Sequence, residues 1–201
     1  SIFLIKTYKT VNCGSSLFEV KEVQIAFWPT LLFTQTLIRL FLSQITIMDS
    51  ALLNAHSILR WAVLLFGLYA ITKSARGLLY KQDYTPQHNM AATLFIASVH
   101  LQIVLGLLLY VARGWANNLS KMGEIMSDPV QRFWTVEHFV GMLLAAVLVQ
   151  IGRTKSKKAT EVPKKHKTAL IYFTIGLLII LAMIPWPFRE IIGAGRSWFP
   201  I

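Results

Sequence analysis

Four apolar stretches of about twenty residues each limit what this chain can fold into more than any other feature. They cover residues 52–72, 91–112, 133–151 and 168–186. A stretch of this length crosses the roughly 30 Å hydrocarbon core of a bilayer at about 1.5 Å per residue. Each is predicted to be a helix, because backbone polar groups in lipid must be satisfied within the segment. Short polar connections join the stretches, so the sequence predicts an all-α integral membrane protein with an up-down-up-down four-helix transmembrane bundle.

The composition agrees with a membrane protein and argues against a nucleic-acid-binding one. Hydrophobic residues make up 55% and charged residues 14% of the chain, against roughly 45–50% and about 25% in soluble proteins. The net charge is +11, but basic nucleic-acid modules carry their charge on a polar surface rather than between long apolar runs. The single cysteine, Cys13, excludes an internal disulfide framework and every Cys-based metal motif. Metal chemistry in this chain would therefore have to use histidine.

Residues 1–47 are interpreted separately from the four-span domain at 48–201. An apolar run at residues 25–47, interrupted by Arg39, could form an extra N-terminal hydrophobic helix. The alternative is that this segment is an upstream extension and that translation begins at Met48, the first methionine. We favour the extension and derive no function from it.

The distribution of Lys and Arg predicts the orientation of the bundle. The connection at residues 153–167 carries seven of them, and the connection after the first span carries Lys73, Arg76 and Lys81. Both connections lie on one side of an up-down bundle, and short cytoplasmic loops are enriched in basic residues. We therefore expect this side to face the cytoplasm.

Three of the five histidines lie within predicted spans: His56, His100 and His138. Ionisable residues inside a membrane are rare and mark functional sites, and imidazole is the commonest metal ligand and a usual axial ligand of haem. His56 and His138 lie about 6 Å and 8 Å inside the same end of the first and third spans, whereas His100 lies about 18 Å deep. Because the first and third helices are diagonal in such a bundle, we expect His56 and His138 to bind one iron. His100 would either pair with His138 or form a hydrogen bond in the core.

Two charged residues accompany this pair. Arg60 is one helical turn from His56 on the same face, and Glu137 is adjacent to His138. Arg60 is expected to bind a haem propionate, and Glu137 could take up protons at a quinone site. The alternatives are that the two residues pair with each other, or that Arg60 extends outward to the membrane surface.

Small residues follow both histidines along the helices. Gly141 and Ala145 lie on the face of His138, and Gly67 lies on the face of His56. Such residues leave room for a macrocycle, but they also serve close helix packing in membranes. Both interpretations remain open at this point.

The remaining histidines are expected at the surface. His88 falls in the connection before the second span, and His166 falls in the basic connection before the fourth. A solvated role is favoured for both. Ser98 and Gln102 form a polar strip on the second span that faces away from His100, and we expect this strip to bond between helices.

Five segments carry a family resemblance. They are HSILRW at residues 56–61, VHLQIVLGLLLY at 99–110, EH at 137–138, KKHK at 164–167 and IPWPFR at 184–189. Together they resemble a short bacterial four-span family usually described as cytochrome B, over the chain from Met48 onward. More loosely, the chain is similar to the four-helix bis-His membrane cytochromes b and to one half of haem A synthase. The resemblance implies a haem b, electron exchange with a membrane quinone or another redox protein, and a multi-pass location in the bacterial inner membrane.

Two functions remain open from the sequence. The first is a haem-b electron carrier or quinone-linked oxidoreductase subunit, with His56 and His138 as the metal ligands and His100 and Arg60 as further cofactor-binding candidates. The second is a non-redox membrane assembly or transport subunit whose histidines make interhelical hydrogen bonds. The similar depths of His56 and His138 favour the first, and the isolated depth of His100 favours the second.

Overall fold

The structure, a computed structural model, describes the backbone of residues 4–13, 16–25, 28–192 and 198–199, and the side chains of residues 35–36, 48–192 and 198–199. The chain divides into two compact units, Ser1–Met48 and Asp49–Ile201. Each unit is described by itself.

The first unit contains a hairpin that the sequence did not predict. Strands β1 (Leu4–Cys13) and β2 (Ser16–Ile25) pair in antiparallel register. Helix α1 (Trp28–Leu79) then begins, so the apolar run at residues 25–47 is, from residue 28, part of one long helix rather than a separate one. Almost all side chains of residues 25–47 lie outside the described residues, so the structure does not test whether this run forms an extra membrane span. The expectation that translation begins at Met48 stays a prediction.

The regular secondary structure described in the second unit is helical. After α1 come α2 (Pro86–Ala112), α3 (Met122–Ile125), α4 (Pro129–Arg132), α5 (His138–Lys158) and α6 (Val162–Met183), with a 3₁₀ helix at Trp115–Lys121 and a π-helix at Phe133–Glu137. Within the described part, four segments are long and apolar enough to cross a membrane: Met48–Leu79, Pro86–Ala112, Pro129–Lys158 and Val162–Met183. The predicted four-helix transmembrane bundle is confirmed.

Close packing sets the arrangement of the four long helices. Helix α5 packs along α6 and contacts α2. Helix α1 lies against α2 and α6 at Gly67, where an added Cβ would come within 2.9 Å of Phe95 and of Leu177. This glycine therefore serves helix packing. Since α1 and α5 each contact α2 and α6, they occupy diagonal positions, and Phe95 meets Phe173 edge-to-face in the centre of the core with ring centroids 5.4 Å apart.

The connections are shorter than the charge pattern predicted. Helix α5 continues to Lys158 and α6 begins at Val162, so most of the basic stretch at 153–167 is helical. Lysine is a good helix former, and lysines in the last turn of α5 interact favourably with the carbonyl end of its dipole. Proline in the first turn allows α6, and likewise α2 at Pro86, to begin early.

These early helix starts overturn one prediction. His88 and His166 were expected to be solvated in loops. Instead, His88 lies in the first turn of α2 and is 7% exposed, and His166 lies in the second turn of α6 and is 0% exposed. The ring of His166 lies against the backbone of Gly77 on α1, at a point where any larger residue would collide with it.

Candidate functional site

One cavity brings together three of the four predicted site residues. His56, Arg60 and His138 all line it, at the end of the bundle where α5 begins and α6 ends. Empty space in the cavity, counted together with its open mouth and the solvent there, is about 1240 Å³. Its aromatic lining residues are Tyr110, Trp115, Trp134 and Phe139. We call it the histidine cavity.

Helix α2 holds His56 in place from two sides. An added Cβ at Gly106 would lie 3.2 Å from His56 Cε1, so the imidazole packs against the bare backbone there. One turn earlier, Gln102 Nε2 donates a hydrogen bond to the His56 carbonyl at 3.0 Å. On α1 itself, Arg60 and Val63 follow on the same helical face and also line the cavity.

The orientation of His138 is set by the end of α6. His138 Nδ1 lies 2.8 Å from the carbonyl oxygen of Met183. A carbonyl only accepts, so Nδ1 carries the hydrogen and Nε2 of the neutral ring carries the lone pair. Metal-ligating histidines commonly donate their other N–H in this way. The Met183 carbonyl is available because the residue four positions later, Pro187, has no N–H to donate.

Side chains cap the other carbonyls at this helix end. Trp186 Nε1 donates to Leu181 O at 2.9 Å, and Arg189 Nη1 donates to Ala182 O at 3.0 Å. Leu181 lacks a helical donor because Pro185 stands four residues later. The PWP segment therefore ends α6 at a defined place and fixes the carbonyl that orients His138.

A π-helix leads directly into His138. It covers Phe133–Glu137, and Tyr110 donates from its hydroxyl to the carbonyl of Thr135 at 2.9 Å. A π turn inserts an extra residue and shifts the helical phase, and such turns occur frequently at functional sites. The phase of α5, and with it the direction of His138, is set at this point.

Arg60 faces the cavity without a carboxylate partner among the described residues. Its Nη2 donates to the carbonyl of Trp198 at 2.8 Å, and its Nε has no hydrogen-bond partner there. The guanidinium carbon lies 5.3 Å from the ring centroid of Trp61 and 5.9 Å from that of Trp186. Carbonyl and aromatic contacts leave the charge of Arg60 uncompensated, so it can bind an anionic group.

Glu137 does not pair with Arg60. Its Oε1 accepts a hydrogen bond from Arg132 Nε at 2.7 Å, and Arg132 Nη1 also donates to the carbonyl of Met126 at 3.1 Å. The side chain of Glu137 is 40% exposed. This ion pair closes the loop before α5.

His100 is not part of the cavity. It is exposed on the outer surface of α2, about 200° around the helix from Gln102. Ser98 and Gln102 were both expected to form hydrogen bonds between helices. Gln102 does so, but Ser98 Oγ donates to Phe95 O within α2 at 2.8 Å. The described side chains thus join His56, His138 and Arg60 and leave His100 apart.

Gly106 is a site residue that the sequence reasoning missed. Gly141, which had been considered as room for a macrocycle, instead packs on Met183, 2.6 Å from where its Cβ would lie. The signal for Gly106 is its spacing, since Gln102, Gly106 and Tyr110 recur every four residues on one face of α2 and all line the cavity.

Two histidines, one from α1 and one from α5, are the side chains in the cavity that could ligate a metal. No group of three or more His, Cys, Asp or Glu side chains in the described part of the chain could hold a metal. A haem supplies the four equatorial ligands itself and needs one or two axial side chains, which two histidines can provide. No protein-family model, curated protein or solved structure matches this chain.

Proposed function

We propose that this chain is a small membrane b-type cytochrome of the four-span cytochrome B family, in which His56 and His138 bind the iron of one haem b. The observation that carries the proposal is that two histidines on diagonal helices line one cavity and that one is oriented by a backbone carbonyl. The bound haem would supply one-electron transfer, in exchange with a membrane quinone or another redox protein. We place the protein in the bacterial inner membrane with residues 153–167 towards the cytoplasm.

The residues around the two ligands have separate roles. The hydrogen bond from His138 Nδ1 to Met183 O raises the basicity of Nε2 and holds the ring in one plane. Gly106 lets the imidazole of His56 lie against α2, and Gln102 fixes the helix position behind it. The aromatic lining restricts water, which lowers the local dielectric and tunes the potential.

Arg60 is the residue that would bind a haem propionate. An Arg deep in a membrane costs about 3 kcal/mol on insertion scales, so a partner for its charge is expected. Its recorded partners are neutral: a carbonyl oxygen and two ring faces. A carboxylate at the cavity would complete the charge balance.

A second candidate function is a non-redox assembly or transport subunit. The same bond from His138 to Met183 O joins α5 to α6 and favours this alternative, because it gives the histidine a structural task without iron. Gln102 similarly joins α2 to the backbone of α1. On this alternative the protein folds and functions without haem.

A difference spectrum distinguishes the two. The full chain, produced with an ample haem supply, should show a sharp b-type α band in the dithionite-reduced minus oxidised spectrum. His56→Ala and His138→Ala should each lose the low-spin signal, because the iron becomes five-coordinate. His100→Ala is the matched control and should retain it.

A folded wild-type protein without the α band would overturn the proposal. Loss of haem in His100→Ala with a low-spin haem retained in His56→Ala would instead assign the axial pair to His100 and His138.

A further inference from the structure

One ionisable side chain, that of His100, faces away from the bundle in the middle of a membrane span. It lies at the centre of α2, roughly 20 Å from each end of the helix. It is exposed on the outer surface of the bundle. Ionisable residues at this depth almost always face the bundle interior or a water-filled cavity. His100 does neither, so the surface around it is unlike an ordinary lipid-facing surface.

The other hydrogen-bonding side chains in the apolar part of α2 all have partners within the protein. Between residues 91 and 112 they donate to backbone carbonyl oxygens, and they are Thr93, Ser98, Gln102 and Tyr110. No hydrogen bond joins His100 to another residue in the part of the chain that the structure describes. Because hydrocarbon offers no hydrogen bonds, the N–H and the lone pair of this imidazole need a partner from outside the chain.

The residues around His100 form a seam along the outer face of α2. Ala97, His100, Val104, Leu107 and Val111 follow one another at alternating intervals of three and four residues. This is the spacing of the a and d positions of a coiled coil. All five residues are exposed. Helices in membranes associate through faces on which small residues permit close approach and polar side chains form hydrogen bonds. We call these five residues the α2 seam.

A second copy of this chain offers a complementary surface to the α2 seam. No Asp, Glu, Lys or Arg lies between residues 86 and 112, so two seams meet without repulsion between like charges. The bias of Lys and Arg between the connections orients all copies alike in the membrane. A two-fold axis along the membrane normal then brings each seam residue close to its own counterpart. The two His100 rings face each other, and one neutral imidazole can donate while the other accepts.

We propose that this chain forms a parallel homodimer through the α2 seam, with a hydrogen bond between the two His100 rings at its centre. The bond pairs an N–H with a lone pair, both of which lipid leaves unsatisfied. A single polar residue in an otherwise apolar seam also fixes the register of the two helices, as it does in coiled coils. The dimer goes beyond the proposed cytochrome function and does not depend on haem.

Energy transfer between donor-labelled and acceptor-labelled full chains in liposomes tests the dimer. His100→Leu keeps the seam apolar but removes both hydrogen-bonding groups. It should dissociate at a protein density roughly 3- to 30-fold higher than the wild-type protein, which corresponds to one interhelical hydrogen bond. His100→Gln is the matched control, because its amide both donates and accepts and should preserve association. A monomeric wild-type protein, or equal association of the wild-type protein and His100→Leu, would overturn the proposal. A loss in His100→Gln as large as in His100→Leu would contradict the hydrogen bond.

Cysteine cross-linking in the membrane locates the interface. In a Cys13→Ser background, Val104→Cys lies on the α2 seam one turn from His100 and should form an intermolecular disulfide on mild oxidation. Val140→Cys on α5 is the matched control and should remain reduced, since Val104 and Val140 are 53% and 54% exposed but only Val104 belongs to the seam. Stronger cross-linking of Val140→Cys than of Val104→Cys would place the interface on α5 and overturn the proposal.

The outcome for the dimer is separate from the outcome for haem. Haem-free protein should associate as strongly as the haem-loaded protein, and His100→Leu should keep any α band that the wild-type protein has. Loss of that band in His100→Leu would instead assign His100 to the haem site. A monomeric protein with an α band would overturn the dimer alone, and a dimer without the band would overturn the cytochrome function alone.

Discussion

The two ends of the bundle each place two histidines from different helices near one another, but with opposite packing. At the histidine cavity, His56 and His138 are half-buried around open space. At the opposite end of the bundle, where α2 and α6 begin and which we call the basic end, His88 and His166 are buried. The centroids of their rings lie 4.8 Å apart. The first arrangement surrounds an open cavity, whereas the second packs two rings against each other.

The hydrogen bonds of the histidine rings also differ between the two ends of the bundle. His138 and His166 both donate to a backbone carbonyl, so each presents its other nitrogen as an acceptor. The neighbouring histidine, His88, instead has its Nδ1 3.2 Å from the backbone nitrogen and 2.9 Å from the hydroxyl oxygen of Thr85. The hydrogen-bond partners of the rings, and not only the number of histidines, therefore differ between the two ends.

The largest expected difference between the ends is in stability. In haem-free protein, His166→Ala should lower the free energy of unfolding by about 2–4 kcal/mol, because it leaves a sealed cavity and an unpaired Gln82 carbonyl. His56→Ala, at an open cavity, should cost less than about 1 kcal/mol. Denaturant unfolding in detergent measures both. Equal losses would mean that the cavity end is packed as tightly as the basic end.

Glycine substitutions make the same comparison more finely. A Cβ at Gly77 would overlap the fully buried ring of His166, so Gly77→Ala should cost about 1–3 kcal/mol. At Gly106 the Cβ would lie 3.2 Å from His56, whose ring can shift towards open space. Gly106→Ala should therefore leave the free energy of unfolding of the haem-free protein close to the wild-type value. In protein produced with haem, the same change should reduce the amount of low-spin haem. A larger stability loss in Gly106→Ala than in Gly77→Ala would reverse the comparison.

The fold was predictable because hydropathy and length are local properties. All four spans were found and the end of the second agrees, but the other ends were set three to seven residues too early or too late, in part because lysine was treated as a loop residue when it also prolongs helices. That error put His88 and His166 in solvent. The first turns at Pro86 and Val162 contain prolines, which are helix-start signals and would have placed both histidines on helices.

The candidate site was predictable only in part. Depth along the span selected His56 and His138, but it also retained His100, which helical phase relative to Gln102 would have removed. The partner of His138 is a backbone carbonyl on another helix, and no side-chain motif signals it. Pro187 does indicate that the Met183 carbonyl lacks a helical donor, although which side chain takes it depends on the packing of α5 against α6.

A smaller effect is expected at Arg60. If the cavity holds haem as proposed, the positive charge of Arg60 would stabilise reduced over oxidised iron, so Arg60→Gln should lower the midpoint potential and weaken haem retention. Arg76→Gln, an exposed change near the basic end, is the control and should change neither. Redox titration of the α band gives the potential. An unchanged potential in Arg60→Gln would place the charge away from the haem.

The smallest effect concerns Asp128, which caps α4 just before the π-helix that leads to His138. Its Oδ1 accepts from the backbone nitrogens of Val130 at 2.8 Å and Gln131 at 3.1 Å. The pKa of the Asp128 carboxyl is lowered below its ordinary value of 3.8. The largest cause is the hydrogen bond from the backbone N–H of Gln131, and the hydrogen bond from the backbone N–H of Val130 adds to it. The capped state therefore contributes stability above about pH 4, which is lost as the pH falls through the lowered pKa.

Asp128→Asn keeps a capping oxygen without a titrating group, because Asn and Asp are similarly good N-cap residues. At neutral pH the variant and the wild-type protein should melt within a degree or two of each other. Below pH 4 only the wild-type protein should lose the small contribution of the carboxylate, and the loss should appear at the histidine cavity rather than in the His166 signals at the basic end. The melting temperature and the histidine NMR spectrum, followed together from pH 6 to pH 3, measure this. A change at the basic end that depends on Asp128 would show that the two ends are coupled through α5, contrary to their separate packing.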